Sequence, residues 1–385
     1  MINARRVKQL ASEAGFDICG IARARELSDS RRFFGEWLLN GYDAGLGYMS
    51  RNIDKRFSPA LLVPGTVSVV VCGVIYKNDT SLGGYENGTP KVASYARSTD
   101  YHRTVKDMLF SLAGMMSSEF GKMGFRAFTD SAPVLEKRWA YEAGLGFIGR
   151  NRLLVSPEFG SFLLLGELLV DVEADEYDEP YSGVGCGACR RCVEACPNGA
   201  LTEHGLDARK CISRLTIEDV SCMERPAVPY GDGAYDGCGA ENVTGKGGSH
   251  DENRKTIRSE VSVADSVSVG VEAVVPGMSC SDCGESELGG DSDKPVASYC
   301  ADCSHSADML HGWIFGCDEC QSVCPYNRMS PFYRNSRFAP VFDPRDMTVG
   351  DWLSMDERAF AAGFAATPLQ RSGLERIKTI LERRH

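Results

Sequence analysis

"CGACRRCVEACPNGA", residues 186–200, sets four cysteines within eleven residues and closes them with Pro197. A shorter phrase, "CDECQSVCPYN" at 317–327, repeats the pattern with one cysteine fewer. The two phrases have to be read together.

The first run has the C-x2-C-x2-C-x3-C-P spacing of bacterial ferredoxins, in which three cysteines hold one 4Fe–4S cluster and the fourth crosses to a second. A crossover demands a partner motif. Cys317, Cys320 and Cys324, followed by Pro325, supply C-x2-C-x3-C-P, and Cys211 in "DARKCISRLTIE" supplies the missing first cysteine. The crossover then assigns Cys186, Cys189, Cys192 and Cys324 to cluster one, and Cys196, Cys211, Cys317 and Cys320 to cluster two. Two zinc sites are the competing reading, but zinc motifs seldom pack a third and fourth cysteine at this spacing. Two clusters with crossed ligands form a path for single electrons, and a path needs an acceptor.

Composition fits that reading. The 385 residues are 43% hydrophobic and 25% charged, enough for two or more domains with cores, which excludes disorder of the whole chain. The opening "MINARRVKQLASEAGFDICG" has an arginine pair but no apolar stretch behind it, so it reads as neither a secretory nor a twin-arginine signal. "VVVCGVIY" and "FLLLGELLV" are too short to span a bilayer and read as buried strands. A cytoplasmic protein without a membrane partner is expected. Its sixteen cysteines are then reduced, and metal binding is their default use. Only Cys19 and Cys72 lie outside 186–324, and both read as small buried side chains.

The acceptor belongs in residues 1–180. A helix with Val7, Leu10, Ala11 and Ala14 on one face leads through "RRFFGEWLLNGY" to the strand "TVSVVVCGVIY". A second amphipathic helix over about 101–120 precedes "FRAFTD", a strand ending in Asp130. "SAPVLEKRWAYEAGLG" then reads as a helix entered through Pro133 and stopped near Gly144. Strands alternating with helices indicate an α/β layer, and "DVEADEYDEP" a solvated linker to the cysteine region. Gly144, Gly146 and Gly149 spell G-x-G-x-x-G, but after a helix, so a dinucleotide site is rejected. "DYHRTV" begins like the D-x-H-x-x-G motif by which some proteins present a histidine to cobalt. Val105 stands where that motif has glycine, so His102 is not expected to be such a ligand.

"FTDSAPVLEKRWAYEAGLGFIGRNRLLVSPEFGSFLLLGELL", "KVASYARSTDYH", the first cysteine run with "DARKCISRLTIE", and "GWIFGCDECQSVCPYNR" together resemble the epoxyqueuosine reductase family, in matching order over roughly 1–220 and 307–370. The resemblance implies a fold of mixed α+β and α/β character. A cobalamin-binding α/β domain akin to that of reductive dehalogenases (1–180) joins a two-cluster ferredoxin-like domain (181–220 and 307–330), and a short helical tail (331–385) follows. It implies that the clusters reduce cobalamin to its cob(I) state, and that epoxyqueuosine at the wobble position of tRNA loses its epoxide oxygen. A flavodoxin- or ferredoxin-type protein is expected as the electron donor. "TDSAP" places Asp130 as the proton donor; burial beside a bulky macrocycle should raise its pKa, as suits a general acid. The plainer reading is a cap for the helix that Pro133 opens. Arg56, Tyr95, Arg138, Asn151 and Ser156 resemble positions around the corrinoid amides and tail, and Ser213 faces the cofactor from the cluster side. Each has an ordinary surface or capping role as its alternative.

Residues 221–306 depart from that pattern. They have no Phe or Trp and a single Leu, so they can bury little core and suggest a mobile excursion. Cys280, Cys283, Cys300 and Cys303 nevertheless carry a zinc-ribbon spacing. The segment holds 15 acidic and 6 basic residues and so most of the net charge of −11, a poor match for a polyanion. At the other end, "RSGLERIKTILERRH" reads as a short basic amphipathic helix. A corrinoid reductase of a small molecule and a ferredoxin-type electron carrier are the alternative functions. The first usually has a twin-arginine signal, and the second has no use for "FTDSAPVLEKR".

Overall fold

Ser68–Ile75 is buried at every position, so it must be a strand covered on both faces. In the computed structural model this strand, β2, lies inside a four-stranded sheet with β1 (Ile18–Arg23), β3 (Phe125–Phe128) and β4 (Leu163–Val170), in the order β1-β2-β4-β3. Every pairing is antiparallel, from Ile18 opposite Gly73 to Phe128 opposite Glu167. The layer expected as α/β is therefore an antiparallel α+β one: hydrophobic period tells which strands are buried, not which way their neighbours run.

Side chains alternate across the sheet, and each face has its own core. Val70, Cys72, Leu164 and Leu168 meet Val7, Leu10 and Ala11 of α1 (Ala4–Glu13) and Met108 and Leu112 of α3 (Tyr101–Phe120). The helix α2 (Ser28–Leu39) comes between these in sequence and has no fully buried residue. Val69, Val71, Leu165 and Leu169 face the other way, onto Trp139 and Ala140 of α4 (Glu136–Glu142). Gly20 in β1 lets α4 come this close, because a Cβ there would stand 2.1 Å from the carbonyl oxygen of Ala143. Gly20→Val should therefore separate strand from helix and cost about 3 kcal/mol or more, read as a lower denaturation midpoint. Cys19 and Cys72 face each other across β1 and β2 as free thiols, 3.7 Å apart, with Cys72 fully buried.

The structure describes residues 1–202, 205–218 and 307–383, all within one unit of the chain. The insertion expected over 221–306, with its zinc-ribbon spacing, lies outside the described residues. After it the chain returns as Trp313–Phe315, a short strand parallel to Lys91–Val92. The C-terminal segment is more than a tail. Trp352, Phe360, Phe364, Leu374, Ile377 and Leu381 share one core with Val92, Phe315 and Leu215. Its last helix, α6 (Gly373–Glu382), anchors α5 (Ile212–Ile217): the Arg376 guanidinium donates to the carbonyls of Leu215 at 2.8 Å and Thr216 at 3.0 Å, groups that the end of α5 leaves without helical partners. The basic pattern of 371–383 is spent in part on packing.

Candidate functional site

β3 ends at Phe128, and the Thr129 hydroxyl ties the next residue down by donating to the Leu165 carbonyl at 2.8 Å. Asp130 then turns with φ 56°, a left-handed conformation that a residue with Cβ adopts only where its surroundings enforce it. The expected helix does not start at Pro133. It starts at Glu136, and its N-cap residue Leu135 supplies no side-chain bond. Asp130 therefore caps nothing, and its Oδ2 instead lies 2.8 Å from Nε2 of His102.

His102 stands in the first turn of α3 between two carboxylates. Its Nδ1 is 2.7 Å from Oδ1 of Asp100, which is also the N-cap of α3 and accepts the His102 backbone N–H at 3.0 Å. The Tyr101 ring stacks on the imidazole at 4.1 Å, and burial and the Asp130 charge push its hydroxyl pKa up. The bonds to Asp100 and Asp130 push His102 up to about 9. Burial raises Asp130, but the bond to His102, the charges of His102 and Arg371 and the Tyr101 hydroxyl outweigh it, so the carboxyl ends below its ordinary value. The sequence led us to expect the opposite sign, because desolvation is legible in an isolated aspartate and its partners are not. At neutral pH the shared proton rests on the imidazole, and the couple holds one transferable proton. Both ring nitrogens are engaged, which leaves His102 no nitrogen for a metal.

Further titratable and aromatic side chains gather around this couple. Lys137 is open to solvent, yet burial lowers its ammonium pKa, and the Cys320 thiol is among the groups it feels. Asp130 itself keeps 44% of its side-chain surface open. The Glu136 carboxyl accepts the Asp130 backbone N–H, and burial with the nearby Asp130 charge pushes it up to about 7. Tyr95 stands edge-on to Tyr101 at 6.0 Å and tilted against Phe315 at 6.2 Å. Tyr48 is a further member: burial and Glu218 push its hydroxyl up to about 12, and Glu218 pairs with Arg371 at 2.7 Å. Sequence reasoning missed Tyr48, Tyr101, Glu136, Glu218 and Arg371. "DYH" at a helix start and "LEKR" after the Asp130 turn were the available signals for Tyr101 and Glu136.

The other expected contacts are placed unevenly. Arg56 is buried over Phe34, with one guanidinium nitrogen donating to the Tyr48 carbonyl at 2.9 Å and Nε without a partner. Arg138 turns away to Glu142 and to Asp29 at 2.6 Å, so it is held by ion pairs rather than facing Asp130. Asn151 is buried with Nδ2 unpartnered, a donor available to a bound molecule. Ser156 is buried in its own turn, where its hydroxyl accepts from the Phe159 N–H at 3.3 Å. Ser213 is half-buried on α5, and its carbonyl accepts from the Thr216 hydroxyl at 3.2 Å.

The eight expected ligand cysteines separate into two neighbourhoods. Cys192 and Cys324 both sense Cys186, and Cys324 also senses Cys189. Cys317 senses Cys320 and Cys211, and Cys211 senses Cys196. Cys320 senses Cys211, Cys192 and Cys196, so the two groups adjoin there. Burial pushes the Cys192, Cys211, Cys317, Cys320 and Cys324 thiols up, a cost that cationic iron reverses by taking the thiolate. Backbone N–H groups already point at sulfur, from Arg150 to Cys186 at 3.4 Å and from Ala200 to Cys196 at 3.2 Å, as iron–sulfur ligands need. Among the described residues no three His, Cys, Asp or Glu side chains close on a point small enough for a single ion. These donors fit two four-iron clusters.

An epoxyqueuosine reductase of Cyclobacterium marinum is 32% identical to this chain over 370 residues, covering 96% of it and 92% of the relative. The chain belongs to the epoxyqueuosine reductase family. Residues 56–131 match the family model described as epoxyqueuosine reductase QueG, DUF1730, a span that runs from Arg56 to just past Asp130. Residues 185–240 match a 4Fe-4S double cluster binding domain. The epoxyqueuosine reductase of Xanthomonas campestris is 31% identical over 97% of this chain and 83% of its own. Among solved structures, the epoxyqueuosine reductase of Streptococcus thermophilus shares the fold at a TM-score of 0.68 and 20% identity, covering 99% of this chain and 80% of that one. An epoxyqueuosine reductase with an epoxyqueuosine-modified tRNA-Tyr stem loop aligns at 0.69 over the same shares and at the same identity. Membership makes this chain an oxidoreductase.

Proposed function

We propose that this protein reduces epoxyqueuosine to queuosine in tRNA, with electrons entering through two 4Fe–4S clusters and cobalamin seated in a recess beside Asp130. The observation that carries the reading is the Asp100–His102–Asp130 chain, a loaded proton donor whose neighbour Lys137 also feels Cys320. Bound cobalamin, reduced through the clusters, supplies the electrons that open the epoxide, and the cofactor brings that chemistry with it. The polypeptide does the rest. Asp130 and His102 deliver a proton to the departing oxygen, and Asn151 Nδ2 and Arg56 Nε offer buried donors to the corrinoid periphery. Tyr95 and Tyr101 wall the recess, and Ser213 borders it from α5. We assign Cys186, Cys189, Cys192 and Cys324 to one cluster and Cys196, Cys211, Cys317 and Cys320 to the other. The recess and the cysteines fall in the segments 1–180, 181–220 with 307–330, and 331–385.

The test is an absorption spectrum of anaerobically purified protein with and without added cobalamin, followed by nucleoside analysis of epoxyqueuosine tRNA treated with the reduced enzyme. Iron–sulfur absorption, a corrinoid spectrum and new queuosine are expected. Clusters without corrinoid uptake would instead indicate an electron carrier, and corrinoid uptake without queuosine a small-molecule reductase.

We assign the tRNA-bound substrate to the Asp130 recess and a flavodoxin- or ferredoxin-type protein as the electron source. The cytoplasm is the matching compartment, and among the described residues no helix is long and apolar enough to cross a membrane. For the insertion, we propose a zinc held by Cys280, Cys283, Cys300 and Cys303 on the strength of their spacing. A variant with 222–306 replaced by a short Gly/Ser linker should keep both clusters and turnover and lose about one zinc per chain. Loss of an iron–sulfur cluster in that variant would show that an insertion cysteine is a cluster ligand and overturn the choice of Cys211.

A further inference from the structure

Removing an epoxide oxygen to leave a double bond consumes two electrons and two protons. Both C–O bonds break, the two carbons keep a new π bond, and oxygen departs as water. The Asp130–His102 couple holds one transferable proton near neutral pH, so a second has to come from elsewhere.

A second acid stands behind the first. Glu167 lies in β4 with no exposed surface, opposite Val71 on one side and Phe128 on the other, two residues before Asp130. Leu165 and Leu169 flank it on the face packed by α4, where a leucine would stabilise the sheet better than a carboxyl. If both carboxyls were ionised, neither Glu167 oxygen would have a hydrogen-bond partner. One proton placed between Glu167 and Glu136 gives it one. An isolated buried carboxylate is too costly to persist, so the pair keeps a proton. Glu136 at the same time accepts the backbone N–H of Asp130, which brings the pair to the donor turn. The other charged or titratable groups facing the pair are Asp130 from its turn, Lys137 on α4 and His102 on α3, and the Cys72 thiol of β2 feels Glu167 from the opposite face of the sheet.

We propose that Glu136 and Glu167 together store the second proton of the reaction and pass it to the Asp130 turn once the Asp130–His102 couple has discharged. The inference rests on the epoxide-reduction reading above. The pair is filled again from solvent through the half-buried Glu136 between turnovers, so protons balance over each cycle.

The test uses the cluster- and cobalamin-loaded enzyme, pre-reduced, in single turnovers on epoxyqueuosine tRNA. Glu167→Gln keeps the shape and removes the proton. At pH 8 its rate should fall about 10- to 100-fold, and at pH 6, where solvent protons are plentiful, by less than about 3-fold. Glu136→Gln, on the more accessible member, should show the same pH-dependent loss and covers the case in which Glu167→Gln folds poorly. Independently of turnover, the infrared spectrum of the protein without tRNA should hold a protonated-carboxyl C=O band at pH 8 that Glu167→Gln removes. A loss equal at both pH values would make the pair a packing element, and a parental rate at pH 8 would make solvent the source. Absence of the band from the parent would show that no proton is stored. Each of these overturns the proton store alone, whereas a parent that cannot reduce the epoxide overturns the functional reading with it.

Discussion

Asp130→Asn should bind both clusters and cobalamin as the parent does and reduce epoxyqueuosine tRNA about 10²- to 10⁴-fold more slowly in single turnovers. The substitution suits the question because Asn accepts the left-handed backbone that Asp130 adopts, so the turn survives and only the proton path is lost. The pH dependence gives a second reading. His102 is raised, so the charge on its ring and the stability it brings are present below the ordinary histidine range and lost as pH rises through about 9. Asp130 is lowered, so its contribution is present above the ordinary carboxylate range and lost as pH falls through its depressed value. The loaded couple therefore spans neutral pH, and the parental rate should hold to about 9 before falling. In Asp130→Asn, His102 loses one of its two carboxylates and its titration should move to lower pH, as NMR of the imidazole would record. Near-parental turnover would reduce Asp130 to a turn residue.

How much of this was legible in the sequence depended on the range of the interaction. Cysteine ligation follows local spacing, and the runs at 186–196 and 317–324 single out their cysteines without help from the fold. The strands at 68–75 and 163–170 were legible because burial on both faces leaves an unbroken apolar run. Their antiparallel pairing was not, since strand direction is set by the long connections between them. His102 and Asp130 are 28 residues apart, and only the placement of α3 beside β3 makes them partners. Arg138 shows the converse: a motif put it near the cofactor, and its ion pair with Asp29, 109 residues away, was not legible. Pro133 misled because a proline favours a helix start only where the backbone is free to begin one. Here the preceding turn is fixed by Thr129, Asp130 and Glu136, and the helix waits three residues.

Cys324→Ala should abolish the cluster whose other ligands are Cys186, Cys189 and Cys192, although it lies 132 positions beyond Cys192. Cys324 has Cys186 and Cys189 among its neighbours, whereas Cys317 and Cys320, which are closer to it in sequence, gather with Cys211 and Cys196. The parent should hold about eight irons and the variant about four, with the remaining cluster keeping its own spectrum. The surviving cluster is the one at Cys320, next to Lys137 and the Asp130 recess, so the variant separates electron entry from electron delivery. With a protein donor that docks at the lost cluster, turnover should fall by about two orders of magnitude. With a small chemical reductant that reaches the remaining cluster directly, it should fall far less, because the last transfer is intact. Cys196→Ala is the mirror case: it removes the cluster beside the recess, and neither donor should restore turnover. Iron loss confined to the Cys320 cluster in Cys324→Ala would overturn the crossed assignment. Equal loss with both donors would place the Cys324 cluster, and not the Cys320 cluster, last in the electron path.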